Sequence, residues 1–338
     1  MSDETEIGTA DTMRGRANQS RLRLWLLLGA NRLHVAVGLT LAVFVAFVVS
    51  VTLLHPPFAR QIESGDTIET MFSTMISVIV TGTTLVVTIG QLVLSQENGP
   101  LGDQRERMAN AMDFRDFTEE LIGTPSPADP SQFLGELIGV TKRRVEQLRD
   151  SVEDSENEQL REEVDEFADS VSGNADEVRD QLEGASFGSF DVLFAALNYN
   201  YSWKIYQVER IAADHGDSLS EEGTTALEEL KTALSLFGPA REHVKTLYFQ
   251  WALIDLSQWI LYTAIPALAV AGIMLAVVDA GTFPGRSLWF DHVVLVVGGA
   301  FALTLAPFML FVSYVLRIVT VAKRTLAIEP LILRDSQR

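Results

Sequence analysis

The sequence predicts an all-α protein: a four-helix transmembrane region with a cytoplasmic helical-bundle domain inserted between spans 2 and 3. Three observations carry that prediction. Four stretches are long and apolar enough to cross a hydrocarbon core of about 30 Å at about 1.5 Å of rise per residue. Basic residues gather on one side of them, and the segment between the second and third repeats apolar residues at helical spacing, without strand alternation.

The N-terminal tail, residues 1–32, is polar through about Asn18 and is expected to be disordered there. The stretch "RLRLWLLLGANR" that follows pairs arginines with Leu and Trp. It admits two readings, a short helix in the headgroup region or a cytoplasmic extension of the first span. Its apolar run is too short for a leader and is followed by Arg32 and a full-length span, so the first span is expected to stay in the mature protein.

Spans 1 and 2 fall within residues 33–95, from about Leu33 to Leu54 and Thr70 to Leu94, and contain no Asp, Glu, Lys or Arg. Spans 3 and 4 fall within 255–318, from about Leu256 to Val278 and Val293 to Leu316. Arg14, Arg16, Arg21, Arg23 and Arg32 precede the first span, Arg105, Arg107 and Arg115 follow the second, and Arg317, Lys323 and Arg324 close the fourth. The two short connections carry one Arg each. By the positive-inside rule both termini, including the tail 319–338, and the segment 96–254 are cytoplasmic, in a multi-pass protein of the cell membrane.

The inserted domain reads as helix after helix. "ADPSQFLGELIGVTKRRVEQLRDSV" offers Asp129 as N-cap and Pro130 at the first helical position, then places Leu134, Leu137, Ile138, Thr141, Val145, Leu148 and Val152 on one stripe. A second stripe, Leu160, Val164, Phe167 and Val171, is expected to be interrupted by Ser172, Gly173 and Asn174. "SFDVLFAALNYNYSWKIYQVERIAA" predicts one aromatic-rich central helix from near Ser189. "SEEGTTALEELKTALSLF" predicts another, stopped by Gly238; from Pro239 a further helix runs into span 3.

The net charge is −19, and residues 101–250 supply 32 Asp and Glu against 14 Lys and Arg. With 21 Arg and only 5 Lys, that surface suits a cytoplasm of molar salt, where the Debye length falls to about 3 Å. The alternative is an acidic patch for a basic protein partner or Ca2+. No basic patch supports nucleic-acid binding. The absence of cysteine excludes disulfides, thiolate metal sites and thiol nucleophiles. His34, His55, His215, His243 and His292 are isolated in sequence and read as interfacial or surface residues. No nucleotide, zinc-protease, hydrolase or EF-hand motif is present, so no catalytic residue, metal site or cofactor is expected.

One pattern is regular. Thr70, Thr74, Ser77, Thr81, Thr84, Thr88, Gln91 and Ser95 follow one another at alternating intervals of four and three, the period of a left-handed helix bundle. Such a seam either packs against another helix, as small polar residues do in membranes, or lines an aqueous path whose hydroxyls replace lost hydration. Asp255 sits at membrane depth or at the interface, where an ionisable group is either functional or hydrated by headgroup water. Pro266 and Pro307 each remove a backbone hydrogen bond within a span and mark packing kinks or hinges. Trp251, Trp259 and Trp289 read as residues of the interfacial aromatic belt.

The end of span 2, "GQLVLSQENGP", resembles a segment of an uncharacterised prokaryotic family of predicted membrane proteins. Leu85, Val86, Gln91, Leu92, Ser95, Gln96 and Pro100 fit its pattern, and Leu101 replaces its arginine. The order of two spans, a helical domain and two spans is similar to that of bestrophin-type anion channels, ring-shaped homo-oligomers whose second span lines the pore. Ser77, Thr81 and Thr84 stand here where those channels carry an apolar constriction.

The resulting expectation is a homo-oligomeric channel or pore for small ions in the lipid bilayer, span 2 lining the path. The alternative is a non-conducting scaffold or signalling protein whose acidic domain recruits a cytoplasmic partner. If the charge excess is an adaptation to salt, circular dichroism of the 101–250 fragment will show helicity at molar salt and its loss at millimolar salt. Equal helicity in both would point to a specific cationic partner instead.

Overall fold

The computed structural model describes residues 20–54, 66–97, 99–186, 188–279, 281–287 and 289–325. The tail before Ser20, His55 and the tail beyond Thr325 lie outside them. The fold is all-α. Its helices are α1 (Arg21–Leu24), continued by a π turn (Trp25–Gly29), α2 (Arg32–Leu54), α3 (Thr67–Glu97), α4 (Leu101–Ile122), α5 (Pro130–Val152), α6 (Glu158–Leu182), α7 (Phe190–Leu197), α8 (Tyr201–His215), α9 (Glu221–Val277), α10 (His292–Thr304) and α11 (Ala306–Thr325). Four of them, α2, α3, α9 and α11, are long and apolar enough to cross a membrane. The chain divides into two compact units, one holding residues 99–249 and the end of α11, the other residues 22–98 and 250–321.

In the second unit these long apolar helices and α10 share three apolar clusters. Val48, Ile68, Phe72, Ala271, Met274, Val293 and Val297 join α2, α3, α9 and α10. Ala36, Val86, Leu256, Ile260 and Leu310 bring in α11, and Ile79 packs with Ala264 and Ala267. Close approach here depends on a missing side chain: a Cβ on Gly298 would lie 2.8 Å from the Phe47 ring, whereas one on the adjacent Gly299 would find its nearest atom at 3.8 Å.

One feature of this unit decides between two sequence readings, and two others go beyond them. The segment before Arg32 does not extend the first span, because Ala30 is extended (ψ 144°) and separates the π turn from α2. The fourth apolar stretch is two helices that meet at Leu305, with Pro307 buried in the first turn of α11, where a residue without an N–H is tolerated. The connection before α10 contains a two-residue antiparallel pair, Arg286–Ser287 with Phe290–Asp291, and Trp289 at its turn adopts a left-handed φ of 83°.

The other unit is the acidic helical segment. Asp129 caps α5 as expected, accepting from the backbone N–H of Ser131 and Gln132. The Ser131 hydroxyl, with those N–H groups, outweighs burial and holds the Asp129 carboxyl below its ordinary value. The predicted stripe from Leu134 to Val152 is buried throughout. In α6 the stripe does not stop at Ser172–Asn174; Ala175, Val178 and Leu182 continue it, and Asn174 is itself buried. The expected single central helix is two, α7 and α8, parted at Asn198–Asn200.

Gly238 and Pro239 do not end a helix, since α9 runs through both. Gly238 is there for proximity: a Cβ would lie 3.1–3.2 Å from the Tyr201 ring. Pro239 has no N–H to offer the Ser235 carbonyl one turn back, and both residues are exposed.

The Gly298 contact gives a paired test. Gly298→Ala forces the Phe47 ring to move and should destabilise the detergent-solubilised protein by about 1–3 kcal/mol, the usual range for overpacking. Gly299→Ala should leave the melting temperature close to wild type.

Candidate functional site: the outer face of α3

α3 has two unlike sides. Ile68, Phe72, Ile79 and Val86 are buried among α2, α9 and the last two helices. Thr70, Thr74, Ser77, Thr81, Thr84, Thr88, Gln91 and Ser95 are all exposed. Since a helix turns about 100° per residue, positions two apart lie about 200° round, so the hydroxyl row faces directly away from the buried row. Val78, Leu85 and Leu92 flank it on one side and Val80 and Val87 on the other, all of them exposed. A Cβ on Gly82, on the side of the helix between the two rows, would meet nothing inside 4 Å.

The hydroxyls are committed inward. Thr74 donates to the Thr70 carbonyl at 2.7 Å, Ser77 to Ser73 at 3.3 Å, Thr84 to Val80 and Thr88 to Thr84 at 2.9 Å, and Ser95 to Leu92 at 2.7 Å. Back-bonding of this kind lets a hydroxyl sit in an apolar medium, where an unsatisfied donor costs several kcal/mol. It also fixes which part of the hydroxyl faces outward. In the five residues so bonded the proton is spent on a carbonyl and the oxygen presents lone pairs, while Gln91 adds an amide that both donates and accepts.

The other residues singled out in the sequence are dispersed. Asp255 is exposed on α9. Pro266 is exposed within the unbroken part of α9, and Pro307 follows the break at Leu305. Trp251, Trp259 and Trp289 are exposed, Trp289 to 89%.

Two charged constellations were missed. Arg32 is buried and donates to the carbonyls of Leu26, Leu27, Ala30 and Ser313 at 2.5–3.3 Å. Arg317, also buried, donates to the Ala30 carbonyl at 2.5 Å, while the Ser313 hydroxyl donates to the Arg32 carbonyl at 2.8 Å. Two guanidinium groups thus cap the carbonyl end of the π turn and tie it to α11, the end of a helix that favours cations. The signal was present: Arg32 is the one Asp, Glu, Lys or Arg between Leu24 and Leu54.

The second lies in the acidic unit. Lys204 is fully buried, with its ammonium 2.9 Å from Asn174 Oδ1 and 4.7 Å from the centre of the Tyr199 ring. Asn174 donates to the Asn198 carbonyl at 3.0 Å, and the Tyr199 and Thr141 hydroxyls share a bond of 2.5 Å. The run "NYNYSWK" at the α7–α8 junction marked this polar core. His215, read from sequence as a surface or interfacial residue, is buried 3.1 Å from Glu163, which Arg210 also binds. Nearby in sequence, Glu242 accepts from Arg241 at 2.7 Å and from Lys245, while Lys245 reaches Thr325 at 3.5 Å.

The class of protein is therefore an all-α chain with four helices apolar and long enough to cross a membrane, consistent with a membrane protein. More narrowly, it belongs to the family of unknown function DUF7972, whose profile matches residues 1–338. No curated protein and no solved structure matches the chain. The likeness to bestrophin-type channels is one of predicted topology, and none of these matches links the chain to them.

The Glu242 contacts have a pH signature. Burial pushes its carboxyl up, but the bonds and charges of Lys245 and Arg241 outweigh that and hold it below its ordinary 4.5. A depressed carboxyl stabilises the fold fully above that ordinary value and ceases to do so as pH falls through the folded value. In thermal unfolding, wild type should melt above Glu242→Gln at neutral pH, and the gap should close as pH falls below 4.5. A gap that persists unchanged into acid would show that the carboxylate contributes nothing.

Proposed function

We propose that the protein is a homo-oligomeric membrane channel for small ions in which the hydroxyl row of α3 lines the path. The observation that carries the reading is that all eight members of the row are exposed on a single chain, on the side opposite the apolar packing. Among the described residues the row is not covered by the chain's own helices, which leaves both roles, packing and lining a path, to contacts between copies. In an assembly the row faces either a neighbouring copy or water. The acceptor oxygens of its back-bonded hydroxyls and the absence of Asp, Glu, Lys and Arg between Thr70 and Ser95 favour small cations, coordinated by hydroxyl oxygens in place of lost hydration.

The arrangement fits a cell membrane in which both termini and the acidic segment are cytoplasmic, as the distribution of arginine implies. The acidic surface of residues 101–250 favours one competing reading, a non-conducting scaffold that recruits a basic cytoplasmic partner. Mass in detergent separates the two, since a monomer has no path along α3 to offer.

Because the chain has no cysteine, a single introduced thiol reports its own position. In the assembled protein, cysteines at 74, 77, 81, 84, 88 and 91 should react with a water-soluble thiol reagent, which needs both water and thiolate, while 75, 79, 86 and 89 should not. Protection at every position of the row would end the pore reading for this helix.

A further inference from the structure

We propose that the first half of α4, Leu101 to Met112, is where the acidic unit of one chain pairs with the same segment of a second copy; this rests on the oligomer proposed above. The helix is docked at one end only. Phe114 packs on Phe133 with ring centres 6.1 Å apart, Arg115 donates to the carbonyls of Ser126 and, at 3.1 Å, Pro127, and Thr118 is buried. From Leu101 through Asp113 every residue is helical and exposed. Among the described residues, this exposed half of a 22-residue helix draws no packing from the rest of its unit.

The exposed face has a stripe. Leu101, Met108 and Met112, at 82%, 64% and 42% exposure, recur at intervals of seven and four, with Arg105 on the same face between the first two and Ala109 and Ala111 beside them. Methionine adapts its shape to whatever covers it. Charge selects the occupant. Residues 101–250 carry 32 acidic and 14 basic side chains, yet within Leu101–Met112 Asp103 and Glu106 balance Arg105 and Arg107. Two like copies repel everywhere their acidic helices meet, and this is a stretch where they do not. A basic partner gains nothing from a neutral segment, and neither does an anionic lipid surface.

Connectivity agrees. Only residues 98–100 separate α3 from α4, at most about 14 Å of chain, so copies with neighbouring α3 helices hold the starts of their α4 helices within reach of each other.

The absence of native cysteine again supplies the test. Leu101→Cys, Met108→Cys and Met112→Cys should each give a disulfide-linked dimer when membranes are oxidised, and Asp103→Cys and Asn110→Cys, on the opposite side of the helix, should not. An oligomeric mass in detergent without cross-links along the stripe, or cross-links of equal yield at all five positions, overturns this inference and leaves the oligomer. A monomeric mass without cross-links overturns both. Cross-links along the stripe in a protein that passes no ions through vesicles support this pairing and remove the channel reading. Quenching of a fluorophore on Met108→Cys by lipid-borne quenchers would assign the stripe to the bilayer and overturn the pairing.

Discussion

The packing of the unit that holds the four apolar helices depends on how α3 meets a requirement that an apolar medium imposes: backbone and side-chain polar groups must be satisfied from within the chain. The helix carries a hydroxyl or amide at every turn of one face and yet contains no Asp, Glu, Lys or Arg from Thr70 to Ser95. Intrahelical bonds from hydroxyl to the carbonyl one turn back settle the donors. The opposite face, free of that burden, is apolar and supplies Ile68, Phe72, Ile79 and Val86 to all three clusters. At about 1.5–3 kcal/mol for each fully buried side chain, this face orients the helix. The hydroxyl row points outward as a consequence.

Buried charge follows a different rule. Arg32, Arg317 and Lys204 are each at or below 9% exposure, and the groups that hold them include backbone carbonyls, an amide oxygen and ring faces. Carbonyls at a helix end carry partial negative charge, and an aromatic face adds about 0.5–2 kcal/mol of attraction for a cation. Arg241, also buried, pairs with the half-exposed Glu242, and elsewhere carboxylates pair with arginine nearer the surface, as at Arg149, which binds Glu146, Asp165 and Asp169 across α5 and α6. Such exposed pairs are each worth about 0–1 kcal/mol, so the specificity of the acidic unit lies in its apolar stripes and polar core.

Much of the fold was legible because periodicity reports burial directly. The stripe from Leu134 to Val152 and the Asp129–Pro130 start could be read off, since a helix with one buried face must repeat its apolar residues at that spacing. The failures cluster at glycine, proline and asparagine. Gly238–Pro239 reads as a stop and is continuous helix, because the Tyr201 ring occupies the space a side chain would need. Ser172–Asn174 reads as an interruption and is not one, because Asn174 is spent on Lys204 and the Asn198 carbonyl. The break at Asn198–Asn200 was invisible for the same reason: the groups that satisfy it lie on other helices.

The sequence by itself determined the number and apolarity of the spans, the acidic helical segment and the membership of the hydroxyl row, because each is a matter of composition or of spacing along one helix. Only the tertiary structure decided which way that row faces, that Arg32 and Arg317 close on one carbonyl, and that the fourth apolar stretch is two helices. Those outcomes turn on contacts between residues as far apart as Ala30 and Arg317. A periodic pattern fixes which residues share a face, but the face itself is chosen by whatever surface it can bury against.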